Sequence, residues 1–127
     1  MPYVGNIEQE TQGNTNFRKV LYTAKHCQLV VMHLQPSEDI GEETHTLDQF
    51  IRIEKGSAKA VLDGVESPLG DGDAVVIPAG TKHNIINTSA TEPVKLYTLY
   101  APPEHKDGTV HVTKADAIAD EADHYQA

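Results

Sequence analysis

The sequence predicts an all-β protein, a sandwich or a barrel, with one short helix near its C-terminal end. Short runs of branched and apolar residues recur at close spacing, and Gly, Pro and Asp-Gly turns separate them. Many short strands with such turns are typical of β-sandwiches and β-barrels. The chain has 127 residues, of which 39% are hydrophobic, which suits a single domain with its own core.

The predicted strands are short and nearly evenly spaced. They comprise residues 20–23, 27–34, 49–54, 57–62, 74–77, 83–87 and 94–100. Because side chains alternate along a strand, we expect Gln49, Ile51 and Ile53 to share one face. Arg52 then lies on the other face, away from the interior. The Asp-Gly pair at residues 63–64 predicts a two-residue hairpin turn.

The two ends of the chain differ from this strand-rich middle. Residues 1–16 are polar, and we expect an N-terminal arm or a loosely ordered end. Residues 17–101 form the predicted barrel, and residues 102–127 form a C-terminal extension. Within the extension, a pattern that begins at Thr113 resembles a helix capping box, and the Ala-rich residues 114–122 predict a short helix.

The composition excludes two classes of partner. The net charge of −9 disfavours nucleic acids and anionic membranes, which both require clustered Lys and Arg. No apolar run approaches the roughly 20 residues of a membrane-spanning helix, and the first residues lack the features of a signal peptide. Cys27 is the single cysteine, which rules out an intramolecular disulfide and fits a reducing compartment. We therefore expect a cytoplasmic protein whose partner is a small molecule.

The most specific pattern lies in residues 72–87. Its fixed positions are Gly72, Pro78, Gly80, His83 and Asn87. Glycine and proline allow the tight turns on either side of a strand, and the chain then re-enters the sheet with the histidine pointing inward. This spacing resembles the second conserved motif of the cupin superfamily at every fixed position.

An altered form of the first cupin motif lies upstream. Glu43, His45, Gln49 and Gly56 keep the spacing of that motif, but Glu43 stands where a His is usual and Gln49 where a Glu is usual. The resemblance covers roughly residues 17–101. It implies a double-stranded β-helix, the jelly-roll barrel of cupins, with a metal ion inside.

The two motifs together imply a metal site with an unusual set of donors. His45 and His83 offer imidazole nitrogens, Glu43 offers a carboxylate and Gln49 an amide oxygen. Such a set suits one divalent transition-metal ion, iron, manganese, nickel or zinc. Two independent alternatives stay open. A register shift of one residue would present Glu42 instead of Glu43. Gln49 could orient a ligand rather than bind the ion itself.

Three further side chains are candidates for contact with a substrate. His33 lies in a predicted strand whose inward face is undecided, Tyr97 lies in the last predicted strand, and His105 lies in the loop that follows it. Loops on a rigid scaffold often carry functional residues, and His111 in the same segment is an alternative. Packing is the competing interpretation for Tyr97.

The resemblance and the donor set predict a metal-dependent enzyme that acts on a small polar metabolite, of oxygenase, isomerase or lyase type. The alternative is a module that binds or senses a small ligand without chemistry, and a barrel without metal is a third possibility. No catalytic residue is assigned. Cupins commonly pair, so we also expect a homodimer in which the N-terminal arm joins the neighbouring sheet.

Overall fold

The computed structural model describes residues 1–125 of the chain. Within that range nine strands and two helices follow one another along the sequence. They are α1 (Ile7–Gly13), β1 (Arg18–Thr23), β2 (Gln28–Leu34), β3 (Asp48–Lys55), β4 (Ala58–Leu62), β5 (Val65–Leu69), β6 (Ala74–Ile77), β7 (His83–Asn87), β8 (Val94–Ala101), β9 (Val110–His111) and α2 (Lys114–Ala119).

The strands form two antiparallel sheets that enclose the core. The larger sheet has the order β6-β3-β8-β2-β1-β9, and the smaller one has the order β5-β4-β7. Buried aliphatic side chains from both sheets fill the space between them, among them Met32, Leu34, Ile53, Ile85 and Leu96. The predicted all-β jelly-roll fold is confirmed, and so is the short helix near the C-terminal end.

Strand β3 shows how the alternating sequence positions the site. Gln49, Ile51 and Ile53 are buried, whereas Phe50 and Arg52 on the opposite face are only partly covered. β3 pairs with β6 on one side and with β8 on the other, so it lies inside the larger sheet. One polar residue, Gln49, therefore points into an interior that is otherwise apolar along this strand.

Two elements differ from the sequence prediction because little of them is buried. β5 was not predicted, since Val65 through Pro68 are exposed and the proline is compatible only with an edge strand. The turn before it has positive φ at Asp63 and Gly64, as the Asp-Gly hairpin predicts. β9 has only two residues and is likewise absent from the prediction.

The N-terminal segment contains a helix that the sequence analysis did not predict. The Asn6 side chain caps α1 by accepting a hydrogen bond from the Gln9 backbone, and the helix lies against β2, β3 and β8 on the outer face of the larger sheet. Its one buried residue is Thr11. Packing against the sheet thus stabilises a polar seven-residue helix whose own sequence signal is weak.

Helix α2 begins as predicted and ends early. Thr113 and Asp116 form a reciprocal capping box at its start, but the helix ends at Ala119 rather than near residue 122. The residues that follow fold back toward the barrel. Residues 126–127 of the predicted extension lie outside the described part of the chain. No helix within residues 1–125 combines the length and apolar character needed to cross a membrane.

Candidate metal centre

The turn from residue 78 to residue 82 places His83 at the start of β7. Gly80 adopts a φ of +86°, which glycine tolerates without strain, and the Thr81 backbone donates to the Pro78 carbonyl at 3.1 Å. His83 is buried on the same face as Ile85 and Asn87. The side chain therefore points into the barrel, as the motif predicts.

Backbone pairing brings Glu43 next to His83. The two residues exchange hydrogen bonds, each backbone N–H donating to the other's carbonyl at 2.9 Å. Residues opposite one another in an antiparallel pair bring their side chains close together. Glu42 points outward, is exposed and approaches Lys82. The structure thus places Glu43 rather than Glu42 beside the interior.

His45 completes the group. Its Nε2 lies 2.9 Å from Glu43 Oε2, and its ring centroid lies 5.2 Å from that of His83. The four side chains of Glu43, His45, Gln49 and His83 all line one small cavity, and we call this group the barrel site. The structure thus brings together all four residues of the predicted ligand set.

In both histidines of the barrel site, Nδ1 points away from the cavity and faces an oxygen atom. His83 Nδ1 lies 2.9 Å from the Thr81 carbonyl, which can only accept, so Nδ1 carries the hydrogen and Nε2 keeps its lone pair. His45 Nδ1 faces the Glu104 carboxylate at 3.5 Å. Ligating histidines generally use the second nitrogen in this way. For His83 this leaves Nε2 for a metal, whereas His45 Nε2 lies 2.9 Å from Glu43 Oε2, an atom of the same donor set.

Gln49 carries the clearest sign of a missing partner. Its Nε2 donates to Thr98 Oγ1 at 3.0 Å, but its Oε1 is buried and accepts no hydrogen bond. Leaving a buried acceptor unsatisfied costs about 1–3 kcal/mol. A cation or a water at this position removes that cost, and the donor set of the barrel site fits a divalent ion.

The cavity at the barrel site is small. Tyr100 joins the four polar residues in its lining, with aliphatic side chains such as Ile51 and Ile85 around them. Its volume is about 10 Å³, room for one ion or one water molecule. A metabolite with several carbon atoms enters only after the surrounding side chains or segments move.

Glu43 and His45 shift each other's protonation. Burial alone would lower the pKa of His45, but the adjacent Glu43 carboxylate outweighs burial and raises that pKa. Burial would likewise raise the pKa of Glu43, and the contact with His45 instead lowers it. The pair therefore favours a carboxylate that faces a positive charge, which a metal ion also supplies.

A second polar group, the extension cluster, consists of His105, His111, Asp120 and Asp123. His105 Nδ1 lies 2.8 Å from Asp123 Oδ2, and its Nε2 lies 3.2 Å from the Tyr100 hydroxyl. Burial lowers the pKa of His105 in spite of the neighbouring carboxylate, and burial raises the pKa of Tyr100. A neutral imidazole thus donates to Asp123 and accepts from the Tyr100 hydroxyl.

Part of the extension cluster also has the spacing of a metal site. In the described range 1–125, three carboxylate or imidazole donors within 4.8 Å of one another occur at His111, Asp120 and Asp123. His111 Nδ1 lies 3.3 Å from Arg18 Nη1, which only donates, and His111 Nε2 lies 3.0 Å from Asp120 Oδ2. These atoms already have partners, and the buried Arg18 guanidinium opposes a cation. We interpret this cluster as structural.

The three predicted substrate contacts have different positions. His33 and Tyr97 lie on the outer face of the larger sheet. His33 alternates with the buried Met32 and Leu34, and the Tyr97 ring lies tilted beside that of Phe50, with the centroids 6.2 Å apart. Neither lines the cavity of the barrel site, so neither reaches a substrate bound there.

His105 lies closer to the barrel site than the other two candidates. It packs edge-on against Tyr100, with the ring centroids 5.1 Å apart, and Tyr100 lines the cavity. Tyr100 was not predicted to line a cavity. Alternation along β8 from the buried Leu96 would have predicted its inward face.

Residues 30–100 match the family model described as cupin domain, which covers more than half of the chain. The chain belongs to the cupin family. The matched region contains both motifs and the whole barrel site, so the resemblance inferred from Gly72 to Asn87 is confirmed.

Close relatives of this cupin occur in bacteria and in a virus. The uncharacterized protein YrkC of Bacillus subtilis (strain 168) is 49% identical over 127 residues, covering 94% of this chain and 68% of that protein. The uncharacterized protein L612 of Acanthamoeba polyphaga mimivirus is 47% identical over 116 residues, covering 88% and 72%.

Solved structures share the fold of this cupin. The crystal structure of BH2720 from Bacillus halodurans has a TM-score of 0.91 and 46% identity, covering 94% of this chain and 95% of that one. KdgF from Halomonas sp. has a TM-score of 0.63 and 22% identity, covering 71% and 79%. At the latter identity the likeness shows the fold alone.

Proposed function

We propose that this cupin binds one divalent transition-metal ion in the barrel site and acts as a metal-dependent enzyme on a small polar metabolite. The reaction is of the oxygenase, isomerase or lyase type. The observation that carries the proposal is the buried Gln49 Oε1 without a partner. It lies in a cavity that His45 and His83 also line, and each histidine turns Nδ1 away toward an oxygen atom.

The donor set defines the kind of ion. Two imidazole nitrogens, one carboxylate and one amide oxygen suit iron, manganese, nickel or zinc, and such sets leave coordination positions open. When bound, an ion of this kind polarises an oxygen atom of the substrate or acidifies a bound water. The single carboxylate of Glu43 neutralises only part of its charge.

Two residues beside the ion differ in their availability for proton transfer. The Glu43 side chain is 34% exposed, so it is able to turn between holding the ion and accepting a proton from substrate. The Tyr100 hydroxyl is fully buried and donates to His105, and its raised pKa keeps it protonated. Glu43 is therefore the better candidate for a base.

A binding or sensing module without chemistry is the second candidate function. The volume of about 10 Å³ favours it, because the cavity accepts an ion or a water but no metabolite without rearrangement. Saturable binding of one metabolite to the metal-loaded protein, with the metabolite recovered unchanged, would favour this candidate over the enzyme.

The enzyme proposal is tested by turnover. The protein loaded with each of the four metals is incubated with sugar phosphates, diketones and catechols, and products are followed by mass spectrometry. We expect turnover that is lost in His83→Ala and kept in His26→Ala, which removes an exposed histidine. Absence of His83-dependent turnover across the panel contradicts the enzyme and leaves the binding module.

We further propose that this cupin forms a homodimer through the outer face of its larger sheet. This replaces the predicted pairing through the N-terminal arm, because residues Ile7–Gly13 of the arm form a helix that contacts β2, β3 and β8 of its own chain. An apolar row crosses four strands there, since Val76 pairs with Phe50, Phe50 with Leu99, and Leu99 with Leu29. Val76 and Leu99 are 65% and 37% exposed. Exposed apolar patches of this kind usually mark interfaces. Solution scattering should give the mass of two chains for the wild type and the mass of one chain for Leu99→Glu. A wild type with the mass of one chain would refute the proposal.

A further inference from the structure

We propose that Glu104, which lies outside both cupin motifs, is a positioning residue of the metal centre. Its carboxylate faces Nδ1 of His45 and holds the ring so that Nε2 points to the ion. The inference rests on the proposed metal site and adds a residue from the C-terminal extension to it.

The two histidines of the barrel site obtain their orientation in different ways. His83 uses its own chain, because its Nδ1 donates to the Thr81 carbonyl at 2.9 Å. His45 has no such backbone partner among the hydrogen bonds of residues 1–125. Instead, two carboxylates face its ring: Glu43 Oε2 lies 2.9 Å from Nε2 within the barrel site, and Glu104 Oε2 lies 3.5 Å from Nδ1. A carboxylate behind a ligating imidazole fixes the tautomer and raises the basicity of the ligand.

Buried hydrogen bonds fix the backbone that carries Glu104. Gln28 is fully buried in β2, and its Oε1 accepts from the backbone N–H groups of Glu104 at 3.2 Å and His105 at 2.9 Å. Gln28 Nε2 donates in return to the His105 carbonyl at 2.7 Å. A buried amide with these bonds satisfied holds the segment in one place.

The extension holds the same segment from the other side. The imidazole of His105 lies between Tyr100 and Asp123, and the Glu104 carbonyl accepts from the Tyr125 backbone at 3.0 Å. The Glu104 backbone is therefore held at both its N–H and its carbonyl, and His105 beside it is held as well. Only its side chain, which is 21% exposed, retains freedom to approach His45. The extension cluster thus helps to hold Glu104 in position beside His45, although its own residues are not ligands of the ion.

Binding of Co²⁺ to the full chain tests the inference. Affinity is measured by competition with a chelator, and the visible absorption of bound Co²⁺ reports the geometry around the ion. We expect Glu104→Gln to bind about tenfold more weakly than wild type, at the lower end of the range for residues behind a ligand. Glu121→Gln removes an equal charge from an exposed position of the same extension and should bind like wild type.

Glu104→Asp separates position from charge. It keeps the carboxylate but withdraws it from His45 by one methylene, so we expect weaker binding and an altered Co²⁺ spectrum, as in Glu104→Gln. Wild-type affinity and spectrum in Glu104→Asp would assign the effect to charge alone and overturn the positioning role.

Two failures are distinguishable. Equal affinities in wild type, Glu104→Gln and Glu121→Gln overturn the role of Glu104 and leave the metal site intact. Absence of Co²⁺ binding in the wild type overturns the proposed metal site and this inference with it.

Discussion

The barrel site and the extension cluster contain similar side chains but differ in how those side chains are paired. In the barrel site, both nitrogens of His45 face carboxylates, but Gln49 Oε1 lacks a partner and His83 Nε2 makes no hydrogen bond within residues 1–125. In the extension cluster, His105 and His111 both use two ring nitrogens, so no imidazole lone pair remains for an ion. The donor atoms of the extension cluster are nevertheless the closer together.

This difference shows that donor atoms lying close together are weaker evidence for a metal site than donor atoms that lack a hydrogen-bond partner. Buried polar groups are almost always satisfied, so a compact set of satisfied groups has a structural explanation. A buried acceptor without a partner, in the same cavity as His83 with its unpaired Nε2, requires another explanation. The proposed ion supplies one.

The largest expected effect separates the two groups directly. His83→Ala removes a proposed ligand and should weaken divalent metal binding by at least about 100-fold, beyond the 10–100-fold range of residues behind a ligand. His111→Ala should leave the affinity within about twofold of wild type. Isothermal titration with Zn²⁺ measures both. The reverse ranking would move the ion to the extension cluster.

The next effect concerns the stability of the extension. Asp123 accepts hydrogen bonds from His105, from the Lys106 backbone and from Thr109. Asp123→Asn should therefore lower the free energy of unfolding by about 2 kcal/mol, since bonds to a charged group contribute about 1.5–3 kcal/mol each. Urea unfolding at neutral pH, with exposed Asp107→Asn as the control, measures the loss.

The same substitution has a defined pH dependence. Burial would raise the pKa of Asp123, but His105 and the other donors lower it well below its ordinary value. A depressed folded-state pKa contributes stability above the unfolded pKa of about 3.9 and loses it as the pH falls further. The difference between wild type and Asp123→Asn should be constant above about pH 5 and narrow below pH 4. A constant difference in acid contradicts this role of Asp123.

A smaller effect tests whether Gln49 contacts the ion. Gln49→Glu replaces a neutral oxygen by an anionic one, and Thr98 is able to donate to it instead of accepting. We expect affinity for a divalent ion to rise about tenfold, or about 1.4 kcal/mol. Gln9→Glu adds the same charge on an exposed face of α1 and should change nothing. An unchanged affinity in Gln49→Glu would indicate that Gln49 orients a ligand and does not contact the ion.

The smallest expected effect tests whether metal affinity at the barrel site depends on packing in the apolar interior. Ile53 lies on the same face of β3 as Gln49 and is fully buried. Ile53→Val should cost about 1 kcal/mol of stability by removing one methyl group. Its metal affinity should equal that of wild type. A coupled loss of affinity would show that the site depends on packing deeper in the core.

The sequence predicts the parts of the site that depend on local pattern. The spacing from Gly72 to Asn87 predicts an inward His83, and alternation predicts an inward Gln49. The choice between Glu42 and Glu43 depends on pairing with residue 83, which no local pattern specifies. The backbone hydrogen bonds between Glu43 and His83 in the folded chain decide this choice.

The sequence was less informative about the extension and the outer face. Glu104 and Asp123 acquire their positions because the chain folds back over the barrel, and the residues they contact are distant in sequence. The outward faces of His33 and Tyr97, which the sequence analysis left open, follow from alternation. In β2 the apolar Met32 and Leu34 point inward, which forces His33 outward, and the same alternation applies to Tyr97 in β8.

The most direct test of the proposed metal site is a crystal structure of the protein with one equivalent of Zn²⁺, recorded at the zinc absorption edge. We predict one anomalous peak in the barrel, about 2.0–2.1 Å from Nε2 of His45 and of His83. A peak at His111, Asp120 and Asp123 in its place, or no peak in the barrel, would contradict this prediction.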